Sequence, residues 1–93
     1  MTTASIEMEQ VMLEQAVLVA EWAFDDKRAR LERGYAESQG WTLPLKARQY
    51  RAMNRMIDGM MMESSEGREL ARASKALRDS RFKVARMRAG YLA

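Results

Sequence analysis

The chain has no histidine and no cysteine. Their absence removes the usual general base near neutral pH, the thiolate nucleophile and the standard zinc ligands. It also removes disulfides, which agrees with the cytoplasmic location expected here. No run of about 18 uncharged apolar residues occurs, so no membrane span is expected. Met1-Thr2-Thr3-Ala4 lacks the basic start and apolar core of a secretory signal. The sequences GxxxxGK(S/T), GxGxxG and GxSxG are missing as well. Glu7 and Glu14 stand two turns apart on one helix face, but no Glu-x-x-His partner exists for a two-metal site. Asp25-Asp26 runs straight into Lys27-Arg28 and reads as a charged surface, and Glu63 with Glu66 has no activated nucleophile beside it. No catalytic residue, metal, cofactor or small-molecule substrate is therefore expected, and the chain does not read as an enzyme.

Proline occurs once and glycine five times. With so few interruptions and no long alternating β-branched runs, the 93 residues read as a single all-α domain. Apolar content of 47% beside 31% charge argues against disorder.

The first helix is expected over about residues 4–38. Ile6, Leu13, Val17, Ala20, Phe24 and Leu31 follow steps of three and four, interrupted by Gln10 and Lys27. A second stripe of Met8, Met12, Val19 and Trp22 lies beside it, with Val11, Ala16, Leu18 and Ala23 between. From Val11 to Phe24 the helix is apolar around more than half its circumference, which predicts two neighbours there and one beyond Asp25. Gly40 or Gly34 is the expected C-terminal cap. A turn over 39–43 follows, in which Trp41 and Leu43 plug the end of the assembly.

Pro44 suits the first turn of a second helix over about 44–62. Its expected apolar face is Leu45, Ala52, Met53, Met56, Ile57 and Met60. Ser64 or Ser65 then caps a third helix over about 65–89, or the chain runs straight on. In that last segment Leu70, Ala73, Leu77, Ser80, Val84, Met87 and Tyr91 alternate by three and four throughout. A minor stripe of Ala71, Phe82, Ala85 and Ala89 lies opposite. The architecture expected is an antiparallel helical bundle or helical hairpin, with a long first helix and a second arm kinked or broken near Ser64. A homodimer is expected to complete the core, because helices one and three are apolar on two sides.

Net charge of +3 hides an asymmetry. Residues 1–40 hold eight acids and four bases, for −4, and residues 41–93 hold five acids and twelve bases, for +7. Residues 1–26 hold six acids and no base. Either the acidic half of the first helix packs beside the basic last helix, or the basic half meets an external anion. Arg48, Arg51 and Arg55 line one side of the second helix, and Lys46, Arg48 and Arg51 crowd its positive end, against the dipole.

Two functions follow. The first is a non-catalytic protein-binding module, an adaptor, chaperone or inhibitor, acting through a helical face. Its expected contacts are the adaptable methionines Met56, Met60, Met61 and Met62 together with Trp41. The alternative is a DNA- or RNA-binding regulator using Arg48, Arg51, Arg55, Arg78, Arg81, Arg86 and Arg88, with Trp41 or Tyr50 available to stack on bases.

Overall fold

A computed structural model describes residues 3–92, with side chains over 4–90. Three helices follow one another: α1 (Thr3–Ser38), α2 (Ala47–Glu63) and α3 (Ser65–Leu92). Among the described residues there is no strand. The chain reverses direction once, between α1 and α2, so α2 and then α3 run back along α1. The result is a helical hairpin with a broken second arm, 61 Å long and little over 20 Å across. Its radius of gyration is 19.0 Å, against about 12 Å for a compact chain of this size.

The reversal starts from a glycine. Gly40 takes φ +68°, a conformation that costs a residue with a Cβ about 1–2 kcal/mol. This lets the Gly40 amide donate to the Glu37 carbonyl at 3.0 Å and the Trp41 amide to the Ala36 carbonyl at 2.9 Å. Those two bonds are the Schellman pattern, which satisfies carbonyls that the helix end would otherwise leave unpaired. Its usual apolar companion contact is also present: the Trp41 ring meets Tyr35 edge to face, centroids 5.5 Å apart. Gly34 lies inside α1 and ends nothing.

The second helix begins at Ala47, three residues after the expected start at Pro44. The Leu43–Pro44 peptide is cis, and Leu45 packs against the core ahead of the helix. The first turn is instead secured by the Lys46 amide, which donates to Gln49 Oε1 at 2.8 Å.

α2 and α3 are separated by Ser64 alone. Its backbone is extended (φ −73°, ψ 157°), and its hydroxyl works in both directions. It donates to the Met61 carbonyl at 2.7 Å and accepts from the Gly67 amide at 2.9 Å. One side chain therefore ends α2 and caps α3. Glu66 in the first turn of α3 is held below the usual carboxylate range, first by its own backbone amide and then by the Ser65 hydroxyl. Gly67 is there for space: a Cβ on it would overlap the Met61 carbonyl oxygen.

The core is thin. Met53, Ile57 and Met61 form its fully buried part, with Phe24, Leu31, Tyr35, Trp41 and Leu45 around them. The inward face of α2 thus steps by four through these three residues. Ala52, Met56 and Met60, expected inside, are exposed. The α1–α3 seam is closer to expectation. Ala20, Ala73 and Leu77 are buried, and Ile6, Leu13, Val17, Phe24, Leu31, Leu70, Ser80 and Val84 are half-buried. Met87 is exposed, level with the open end of the hairpin, and the Tyr91 side chain lies outside the described residues. Arg81 Nη2 lies 3.4 Å from Glu14 Oε1 and sets the antiparallel register. That register brings Leu77 about level with Val17, and Leu70 about level with Phe24.

Two neighbours were expected for α1 between Val11 and Phe24; within the chain α3 lies along this stretch, and α2 reaches it at Phe24. The break at Ser64 kinks the arm without turning it back, and one residue is too few for a helix reversal. The acidic part of α1 therefore does face the basic α3, at least through Glu14 and Arg81.

Four of the five glycines make a sharp test. Gly67→Ala should lower stability by about 1–3 kcal/mol through overpacking at the kink, and Gly40→Ala by about 1 kcal/mol. Gly34→Ala and Gly59→Ala, in helix interiors with nothing within 4 Å, should raise it by up to about 1 kcal/mol. Thermal melts followed by circular dichroism read these as shifts of roughly 4–8 °C per kcal/mol.

Candidate functional site: the outer face of α1

A helix with one neighbour buries one stripe and leaves its back to solvent. The back of α1 is apolar. Met8, Met12, Gln15, Val19 and Trp22 step by four and three, which places them on one line along the helix. At heptad spacing this line stands roughly opposite the seam of Ile6, Leu13, Val17, Ala20 and Phe24 that α3 covers. Val11 and Leu18, one heptad apart, widen it along one edge. The six large apolar side chains of this face are between 51% and 78% exposed, Trp22 the most.

Its border is acidic. Counting around the heptad, Glu7, Glu14 and Glu21 run beside Val11 and Leu18, Glu9 lies on the other edge, and Asp25 and Asp26 close the C-terminal end. The first base is Lys27. Glu14 shares its carboxylate with Arg81 across the seam, and Asp26 pairs with Arg30 at 2.8 Å. Glu7, Glu9, Glu21 and Asp25 have no basic partner among the described residues.

Farther along, polar bonds tie α1 to α2. Arg28 meets Asp58 at 2.8 Å, Glu32 at 3.0 Å and the Asn54 side-chain oxygen at 3.3 Å. The Asp58 hydrogen bond, ahead of the other effects, raises the guanidinium above its already high ordinary value. Arg28 is thus a charged clamp with no titration of interest near neutral pH.

The methionine patch is divided. Met61 is 1% exposed and belongs to the core; an interior side chain cannot be a partner contact, which corrects the expectation for that residue. Three consecutive helical positions point 100° apart, so Met61 facing inward sends Met60 and Met62 outward on different sides. Met56 and Met60, four apart, share a side of α2, and Met62 is 80% exposed elsewhere. Trp41 is half-buried against Tyr35. It also lines a shallow cleft of about 360 Å³ with Leu43, Leu45, Tyr50 and Met53.

The arginines are exposed, and the structure does not gather them. Arg48, Arg51 and Arg55 follow α2, whereas Arg78, Arg81, Arg86 and Arg88 lie beyond the kink on several faces of α3. Arg81 is engaged with Glu14 and Arg86 lies over the Phe82 ring, 5.9 Å from its centroid. The other five have no carboxylate partner among the described residues.

Among the described residues no cluster of three or more acidic side chains could hold a metal ion, and no helix is long and apolar enough to cross a membrane. Comparison with protein-family models, with curated proteins and with solved structures gives no match.

The second stripe of α1 is legible in the sequence as a second contact, to a neighbouring helix or to another copy of the chain, and within one chain α3 does not cover it.

If the outer face carries no folding role, its substitutions should be silent in stability. Trp22→Ala and Met12→Ala should change unfolding free energy by less than about 0.5 kcal/mol, since neither is buried. Ile57→Ala, at 0% exposure, should cost about 2–5 kcal/mol. Denaturant unfolding of the three variants distinguishes a free face from one that α1 needs to stay folded.

Proposed function

We propose that the chain is a non-catalytic protein-binding module, an adaptor or chaperone-like helical hairpin, whose docking surface is the outer face of α1. The observation that carries this reading is the line of Met8, Met12, Val19 and Trp22, broken by Gln15, widened by Val11 and Leu18 and left uncovered by the hairpin. Soluble monomers scatter exposed apolar residues singly; a contiguous stripe with polar borders marks a contact surface. Its composition fits that role, since tryptophan and methionine are enriched in interface cores. Helix-in-groove and helix-on-helix recognition both read residues at this three-and-four spacing. The exposed Met56 and Met60 on α2 offer a smaller, secondary contact of the same adaptable kind.

A second reading, a DNA- or RNA-binding regulator, rests on five of the candidate arginines that have neither a carboxylate nor a ring partner among the described residues: Arg48, Arg51, Arg55, Arg78 and Arg88. Scatter over two helices weakens it, because phosphate contacts accumulate where bases share one face.

The test is affinity capture from the native host with the full chain as bait, using nuclease-treated and untreated lysates. A Met12→Gln, Val19→Gln double variant serves as the second bait. The protein-binding reading expects a protein retained by the wild type, lost by the variant and indifferent to nuclease. Retention that nuclease abolishes and the variant leaves intact would favour the second reading. Separately, direct binding of duplex DNA or single-stranded RNA should be weak even at about 50 mM salt; tight binding that falls steeply with salt would overturn the first.

A further inference from the structure

We infer that the occupant of the α1 outer face is a basic amphipathic helix belonging to another protein, its apolar stripe laid on Met8, Met12, Val19 and Trp22 and its lysines or arginines on the carboxylates around them. This rests on the docking reading above and adds the partner's chemistry.

Shape comes first. The face is a straight line of side chains on one long helix, from Met8 to Trp22, about 21 Å at 1.5 Å per residue. The concavity beside Met8, Glu9 and Met12, about 360 Å³, is open to solvent and does not enclose a small molecule or a loop. The complement to such a ridge is another rod with apolar residues at the same spacing.

Charge then chooses among rods. The border groups of α1 itself are carboxylates: Glu7, Glu14 and Glu21 along one edge, Glu9 along the other, and Asp25 with Asp26 at the end. Glu14 and Asp26 are paired with Arg81 and Arg30, and the other four have no basic partner among the described residues. A nucleic-acid backbone or an anionic bilayer is repelled by that border, and an acidic helix equally so. A second copy of this chain is disfavoured by the same rule and by symmetry. Pairing α1 with α1 of another copy sets six acids with no base against six more. Pairing α1 with the outer face of another copy's α3, around Phe82, satisfies charge but joins two different surfaces on opposite sides of each hairpin. Such a contact is head-to-tail, leaves a free α1 face at the end of any pair, and builds a ring or an open stack in place of a closed dimer. A separate basic helix meets both conditions.

Trp22 supplies the readout, being 78% exposed on the face itself. Trp41→Phe leaves Trp22 as the sole tryptophan and keeps an aromatic ring beside Tyr35. This chain is titrated with three synthetic helical peptides of three heptads: one with a leucine stripe bordered by lysines, its twin with glutamates for the lysines, and a lysine peptide with the leucines scattered. The lysine-bordered stripe should shift Trp22 emission to shorter wavelength and bind at least about tenfold tighter than the glutamate twin. That gap should narrow between about 50 and about 300 mM salt. The scattered peptide should produce no shift, and Met12→Gln with Val19→Gln, which leaves all charges in place, should weaken binding about tenfold.

Equal or tighter binding of the glutamate twin would overturn the proposed partner chemistry while leaving the docking face standing. Undiminished binding by the double glutamine variant would reduce the effect to charge attraction and overturn the proposal. No emission shift with any peptide would remove the docking face itself. A blue-shifted Trp22 without peptide, with a dimer or larger mass by sedimentation, would show that a second copy fills the face and would overturn the proposal.

Discussion

Every level of this molecule contains two helices in contact, because the chain turns back only once. That constraint decides what can be buried. A third helix folded over the first two would have covered the back of α1 and made a compact bundle. Instead α2 and α3 share one long track along α1, and the thin core is concentrated where α2 meets it, at Met53, Ile57 and Met61. The uncovered back follows from topology.

The single-residue joint at Ser64 enforces the topology. A reversing connection between helices needs a few residues to carry the chain around, and Ser64 supplies a change of axis with no loop. Its hydroxyl serves the Met61 carbonyl and the Gly67 amide at once, so both helix ends are satisfied without extra chain. The cost of so tight a joint is the loss of a side chain at residue 67, where only hydrogen fits against the Met61 carbonyl. Bending the arm also changes which residues of α2 face inward. Steps of four through Met53, Ile57 and Met61 replace a wider face through Met56 and Met60.

Much of this was legible in the residues. The α1 seam from Ile6 to Leu31 and the α3 seam from Leu70 to Val84 show the three-and-four spacing of paired helices, and they are what packs. The glycine cap at Gly40 was legible too, although Gly34 carried the same signal, and only the Schellman bonds decide between them. The start of α2 was less accessible: Pro44 is acceptable in a first helical turn, but Leu45 is drawn into the core before the helix begins. Inward and outward methionines were beyond sequence reasoning, because at residues 60–62 every choice of inward residue is equally apolar. The outer face of α1 was visible as a stripe, and no other described part of this chain covers it; periodicity says that a face is apolar without saying what covers it.

Charge gives that face its meaning. An apolar stripe on an isolated hairpin invites indiscriminate association, and a border of like charges is one way a chain limits the partners that reach it. Carboxylates along both edges of the α1 stripe discourage copies of the chain from pairing back to back, and they discourage anionic surfaces. Most of the bases without a carboxylate partner lie elsewhere, on α2 and α3, with Lys27 and Arg33 on α1 beyond the stripe. Within the hairpin the same polarity is used for register, where Glu14 meets Arg81 and Asp58 meets Arg28. Exposed pairs of this kind contribute little stability, of order 0–1 kcal/mol each. Their greater effect is on alignment: a one-heptad slip of α3 would separate Glu14 from Arg81 and place Leu77 level with a different turn of α1. One charge pattern thus aligns α1 with α3 on one side and, in the docking reading proposed above, would choose the partner on the other.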